Sequence, residues 1–144
     1  MTDGATQPAG AEVRFFVAGI PAPKGSMKGF VVGGRARLTN DNPRTRTWEQ
    51  RVAGRAGDLD LGHTMQGPLA VSLEFSLPLP ASAPKRRRIW PLGRRNDIDK
   101  LCRSTLDGLT GAILGDDGAV VRLTATKDYG DPPGVLVHVR EILP

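Results

Sequence analysis

Hydrophobic positions alternate with small or polar ones in some segments of the chain and recur every three or four residues in others. Residues 13–19 (VRFFVAG) are β-branched and aromatic, which predicts a strand ending at the proline-containing segment IPAPKGS. Residues 68–77 (PLAVSLEFSL) alternate at period two and predict a strand with one buried face. Residues 119–127 and 135–142 predict two further strands, separated by the turn sequence DYGDPPG.

Two segments have helical spacing instead. In residues 43–57 the apolar positions recur every three or four residues, after a proline suited to a first turn. Residues 97–113 carry a longer apolar stripe, with Asn96 or Asp97 available as N-cap and Asp99 in the first turn. Residues 30–38 (FVVGGRARL) predict a second strand that pairs back on the first, its two glycines marking a bulge or a tight turn.

The predicted order is β-β-α-β-α-β-β, which indicates a single α+β domain with a mixed sheet, two helices and largely hairpin-joined strands. We expect this domain to span residues 12–144. Residues 1–11 are small and polar, so we expect a disordered N-terminal tail. The proline-rich segment before the second helix should be a long exposed loop.

Charge is distributed unevenly over this fold. The 144 residues carry a formal net charge of +5, as expected of a protein that meets a polyanion. The loop before the second helix holds six basic residues and no acid: Lys85, Arg86, Arg87, Arg88, Arg94 and Arg95. The single cysteine excludes an intramolecular disulfide, and no secretory or membrane-spanning pattern is present, so we expect a soluble protein of the cytoplasm.

Acidic residues follow the basic loop at once: Asp97, Asp99, Asp107, Asp116 and Asp117. Carboxylate clusters bind Mg²⁺, which promotes phosphodiester cleavage by generating a nucleophilic water and neutralising charge. A helix of about 24 Å separates the first pair from the last, so they meet only if the next strand runs back or a second copy supplies one pair. The alternative is that Asp97 and Asp99 stabilise a helix start and that Asp116 and Asp117 form an ordinary turn.

A longer pattern favours the metal-binding interpretation of these acids over the structural one. The run RRNDIDKLCRSTLDGLTGAILGDDGAVVRLTATKDYG resembles the RusA family of Holliday junction resolvases, in which a helix opening D-x-D-N-L-x-K is followed by D-D and a strand ending near a lysine. The first strand and PAPKGS resemble that family's amino-terminal strand and P-x-P-K-x-R-P-R segment, although Ser26 and Met27 depart from it.

The resemblance implies that Asp97, Asp99 and Asp117 are catalytic metal ligands, with Asp116 beside them. It implies a homodimeric endonuclease that uses Mg²⁺, with Mn²⁺ as a substitute and no small-molecule cofactor, to resolve four-way junctions by paired nicks. Such an enzyme serves DNA recombination and repair in a bacterium or a phage-infected host. Lys100 replaces the family's asparagine, and Arg103 replaces its catalytic lysine. Arginine retains the charge that steadies a phosphate but is a poor proton donor.

Several basic residues are candidates for DNA phosphate contacts: Lys24, Lys28, Arg86, Arg87, Arg88, Arg94, Arg95, Lys100 and Lys127. For each of them a solvated surface position is the alternative. Trp90 either stacks on an exposed base or anchors its loop in a hydrophobic groove, and Cys102 is expected in the core. Two other functions stay open: a non-catalytic DNA-binding protein with the resolvase fold, and a broader flap or fork nuclease.

Overall fold

The structure is a computed structural model that describes residues 11–25, 27–40 and 43–143, without the side chains of residues 27–30, 32, 36–40 and 94. The expected tail at residues 1–10, Ser26 and the side chains of Lys28 and Arg94 therefore lie outside the described part. The strands are β1 (Glu12–Ala18), β2 (Met27–Val32), β3 (Arg35–Asn40), β4 (Leu69–Leu77), β5 (Val120–Tyr129) and β6 (Gly134–Glu141). The helices are α1 (Pro43–Gly57) and α2 (Ile98–Leu109).

A mixed sheet with strand order β1-β6-β4-β5 forms the centre of the domain. β6 runs antiparallel to β1 and to β4, whereas β5 runs parallel to β4 after the crossover through α2. The α+β class is thereby confirmed. The predicted hairpin between β5 and β6 is wrong, because the crossover sets β5 at one side of β4 and β6 pairs with the other side. The turn between them passes the end of β4, where Gly130 N donates to Leu77 O at 3.0 Å.

The segment predicted as one second strand is a separate hairpin. β2 and β3 pair antiparallel with each other and not with β1. Gly33 and Gly34 connect them with φ values of 60° and 78°, the left-handed conformation at both central residues that a tight type I′ hairpin turn requires. Of the two alternatives left open at these glycines, the tight turn is confirmed.

Helices α1 and α2 cover one face of the sheet and enclose the core with it. The alternating residues of β4, Leu69 to Leu77, are buried on this face as the period-two pattern predicts. The two helices approach closely at Gly108, where an added Cβ would lie 2.8 Å from the Val52 Cβ. Trp48 is fully buried in the same contact, and its indole N–H donates to Thr105 Oγ1 at 3.1 Å. Within the described residues no helix is both long and apolar enough to cross a membrane.

The proline-containing segment after β1 is bound along α2. Ser104 Oγ donates to the Ala22 carbonyl at 2.6 Å, and the Lys24 amide donates to the Lys100 carbonyl at 2.9 Å. Both bonds lie in the part of α2 that follows its acidic start. In the sequence, this segment and α2 were linked only because both match the same family pattern in the same order. In the fold they are in direct contact.

Candidate active site

The start of α2 presents two carboxylates. Asp97 occupies the N-cap position with φ −59° and ψ 128°, yet its side chain makes no capping hydrogen bond. Asp99 follows in the first turn and is exposed. Because the Asp97 carboxylate makes no capping hydrogen bond, helix capping does not explain why an aspartate occupies this position. Its oxygens remain available to a ligand.

Lys127 connects this acidic helix start to the sheet. Its ammonium group is partly buried and donates to the Asn96 carbonyl at 2.6 Å. Lys127 pairs with Phe75 of β4, so it lies on the helix-covered face near the C-terminal end of β5. The bond fixes the backbone just before Asp97 and places the acidic start of α2 beside the end of β5.

The second acidic pair lies at the opposite end of β5. Asp116 Oδ1 accepts a hydrogen bond from Gly118 N at 3.2 Å, which is ordinary turn chemistry, and Asp117 opens the short 3-10 turn Asp117–Ala119 before the strand. From Val120 to Lys127 the extended strand covers about 23 Å. The two pairs therefore do not meet within one chain. Among the described residues no three His, Cys, Asp or Glu side chains lie close enough together to hold a metal ion.

Asp107, the acid in the last turns of α2, belongs to a different cluster. Lys24 Nζ lies 2.9 Å from Asp107 Oδ2 and 2.9 Å from Glu49 Oε2 of α1. The pKa of Lys24 is raised above its ordinary 10.5, first because of its hydrogen bond to Asp107 and second because of the bond to Glu49. Asp107 thus forms a salt bridge with Lys24 and lies apart from the acids at the start of α2. Lys24 joins the two helices to the segment after β1.

We expect Lys24→Met to lower the free energy of unfolding by about 1 kcal/mol, because the two partly exposed carboxylates lose their shared cation. A raised lysine pKa stabilises the fold fully below the ordinary value of 10.5, and this contribution is lost as the pH rises through the higher folded pKa. Urea unfolding at neutral pH measures the difference. Lys85→Met, at an exposed lysine of the basic loop, is the control, and equal stability of the two variants would contradict the structural role.

Cys102, three positions after Asp99 on α2, lies in the core as predicted. The side chain is buried, and the pKa of its thiol is raised to about 11, chiefly by burial and further by the negative charge of Asp99. The thiol is therefore protonated at neutral pH. It is not a nucleophile, and the chemistry available at this end of α2 is that of carboxylates.

The basic loop between β4 and α2 also contacts the end of β5 through Arg88. Arg88 forms an ion pair with Asp128, and its guanidinium lies 4.0 Å from the centre of the Trp90 ring. Trp90 is 54% exposed, so the predicted anchoring in a hydrophobic groove is wrong. Arg86, Arg87 and Arg95 are also exposed, and the loop presents its positive charge to solvent beside the start of α2.

Comparison with known proteins decides the family. The family model described as Endodeoxyribonuclease RusA matches residues 19–140. The chain belongs to the RusA endodeoxyribonuclease family. A Bacillus subtilis (strain 168) protein described as uncharacterized protein YqaN is 25% identical over 138 residues, covering 90% of this chain and 96% of that relative. The RusA family implies endonuclease activity on branched, junction DNA by metal-dependent chemistry.

Two of the departures from the RusA pattern, Lys100 and Arg103, lie on the first turns of α2. Lys100 is half-buried, and its carbonyl accepts the bond from the Lys24 amide. Arg103 is exposed and lies three positions further along the helix. The spacing of three places the two side chains on neighbouring parts of the helix surface, so Lys100 does not occupy the position that Arg103 holds.

Sequence reasoning missed two features of this site. It did not find the contact from Lys127 to Asn96, because the two residues are 31 positions apart and no local pattern connects them. It also did not find that β5 is an edge strand, on which Val121 and Leu123 are 65% and 44% exposed. Apolar alternation normally indicates a covered face, so only the strand order reveals that this part of the face is open.

Proposed function

We propose that this protein is a Mg²⁺-dependent endonuclease that resolves Holliday junctions by paired symmetric nicks and acts as a homodimer. The observation that carries the proposal is the position of the two acidic pairs at opposite ends of an exposed edge strand. Neither pair alone supplies the three carboxylates that the family pattern requires. Two chains related by a two-fold axis supply them together.

The free edge of β5 is where the two chains meet in this proposal. An edge strand has unpaired backbone groups on one side, and β5 adds the exposed side chains of Val121 and Leu123. A two-fold axis through the middle of the strand pairs β5 with its copy in the antiparallel direction. The start of one β5, with Asp116 and Asp117, then lies beside the end of the other, where Lys127 contacts the turn before Asp97.

This arrangement suits a four-way junction. The pairing generates two equal sites, one at each end of the shared edge, because each site takes Asp97 and Asp99 from one chain and Asp117 from its partner. A four-way junction has approximate two-fold symmetry, so two matched sites nick two equivalent strands. Paired symmetric nicks follow from the symmetry of the protein.

The donor set fits a hard divalent cation. Asp97, Asp99 and Asp117 would hold it, with Asp116 beside them, and carboxylate oxygens are the ligands that Mg²⁺ and Mn²⁺ take. When bound, the metal lowers the pKa of a coordinated water and neutralises charge on the phosphate under attack. Arg103 carries a positive charge and steadies negative charge on the phosphate rather than donating a proton.

Positive charge around the acidic start of α2 positions the DNA. We propose phosphate contacts from Arg86, Arg87, Arg88, Arg94, Arg95, Lys100 and Lys127, and from Lys28 of the hairpin. Lys24 was also a candidate for a phosphate contact. Its ion pairs with Glu49 and Asp107 give it a mainly structural role. Phosphate contacts give affinity without sequence information, so junction binding should weaken steeply with salt. We place this activity in the cytoplasm of a bacterial or phage-infected cell, in recombination and repair.

The direct test incubates the purified protein with a synthetic four-way junction and with linear duplex, each in Mg²⁺ or EDTA. The proposal expects nicks that need the metal and occur in the junction at symmetric positions. Junction binding without nicks would instead indicate a DNA-binding protein that retains the fold. Equal nicking of flaps and forks would indicate a broader structure-selective nuclease.

A further inference from the structure

A cavity of about 420 Å³ lies directly beside the acidic start of α2. Asn96, the residue before Asp97, forms part of its wall, and Tyr129 at the end of β5 forms another part. Its volume falls within the range of about 300 to 1,000 Å³ that is usual for small-molecule sites. The roles assigned above to the acids do not use this space, and among the described basic side chains of the loop, Arg95 lines it.

The walls of the cavity combine flat apolar surfaces with positive charge. Prolines from the segment after β1 and from the loop after β4 line it together with Tyr129, and Arg44 and Arg95 add positive charge to its walls. Ile20 and Leu92 at the cavity are 59% and 87% exposed, so apolar surface is left open to solvent here. Aromatic and apolar faces beside cations are the combination that stacks a nucleobase and holds its phosphate.

Several contacts fix these walls before any ligand arrives. Lys127 holds the Asn96 backbone, and the segment after β1 is bound to α2 through Ser104 and through the Lys24 amide. Tyr129 pairs with Leu77 in the sheet. The cavity therefore has a defined position relative to Asp97, and whatever binds in it is placed next to the metal-binding carboxylates.

We propose that this cavity binds one unpaired nucleobase of the branched DNA, the base adjacent to the phosphate that is cut. This inference rests on the proposed function and adds to it a subsite for the choice of cleavage position. Bases at a branch point are unstacked at lower cost than bases within a continuous duplex, so branched DNA can supply such a base where linear DNA does not. The ring stacks on Tyr129, while Arg44 and Arg95 lie near its backbone phosphate.

The test uses the full chain in EDTA, so that binding is measured without cutting. A four-way junction carrying 5-iodouracil at single positions around the branch point is bound and irradiated, and the cross-linked residue is identified by mass spectrometry. The inference expects a cross-link to Tyr129 from a position beside the branch. It also expects Tyr129→Ala to weaken junction binding about tenfold, with Tyr129→Phe close to the original protein and duplex binding unchanged.

Leu92→Ala provides a second variant that cannot disturb the core, because this side chain is 87% exposed. It should weaken junction binding, whereas Leu79→Ala, which is 58% exposed and outside the cavity, should not. A protein that binds the junction but forms its cross-links only outside the cavity overturns the subsite and leaves the proposed function standing. A protein that does not bind the junction at all overturns both.

Discussion

Asp99→Asn should abolish nicking of a four-way junction while leaving junction binding unchanged or stronger. The change removes one negative oxygen donor from the first turn of α2 and keeps the shape of the side chain. Loss of a group that supports a metal ligand already costs about 10- to 100-fold, so loss of a ligand itself should lower nicking at least about 100-fold. Binding persists because the basic loop is untouched and a carboxylate near the phosphate has been neutralised.

The matched control is Asp107→Asn on the same helix. Asp107 is ion-paired with Lys24 and lies at the other end of α2 from Asp99. This variant should keep nicking close to that of the original protein, with a small loss of stability. Nicking rates in Mg²⁺ and junction affinities in EDTA, measured for both variants, distinguish a catalytic role of Asp99 from the structural role of Asp107. Near-normal nicking by Asp99→Asn would show that this carboxylate takes no part in the reaction.

The second large effect is expected at the edge of the sheet. Val121→Asp puts a charge where β5 pairs with its copy, and burying an unpaired charge is far costlier than the apolar contact it replaces. The variant should be monomeric at micromolar concentration and should lose nicking entirely. Its stability should change little, because Val121 is 65% exposed in the single chain.

Leu143→Asp is the control for this variant, since Leu143 is a half-exposed apolar residue outside the proposed interface. Light scattering after size-exclusion chromatography gives the oligomeric state of each protein. A Val121→Asp protein that remains dimeric, or that nicks junctions as a monomer, would contradict the shared edge.

Much of the fold could be predicted from local patterns. The alternation in β4 and the apolar stripe of α2 depend on neighbours in the sequence, and both elements form close to where they were expected. The order of strands could not be predicted in this way. Alternation shows which face of a strand is buried but not which strand lies next to it, so the position of β6 between β1 and β4 was missed. The two glycines left a bulge and a turn equally open until their φ values were known.

The site, like the fold, has features that local sequence patterns predicted and features that they did not. The acids of α2 were found from the motif, and the free Asp97 carboxylate at the cap position agrees with the ligand role proposed for it. The role of Lys24 was not predictable, because its partner Asp107 lies 83 residues away. The separation of the acidic pairs was recognised in the sequence from the length of the helix. The structure adds that β5 starts at one pair and runs back to the other, so the two pairs lie at its opposite ends. The proposal therefore requires a second chain to bring them together.

Subunit complementation tests the central claim, that each site is shared between two chains, most directly. Asp99→Asn and Asp117→Asn proteins are prepared separately, each inactive, and then mixed, unfolded together and refolded. In a mixed dimer, one site combines the intact Asp97 and Asp99 of one chain with the intact Asp117 of its partner. Random assortment makes about a quarter of all sites intact, so the mixture should recover about that fraction of nicking, as single nicks rather than paired ones. If each site lay within one chain, every dimer would contain two damaged sites, and a mixture as inactive as its components would contradict the account.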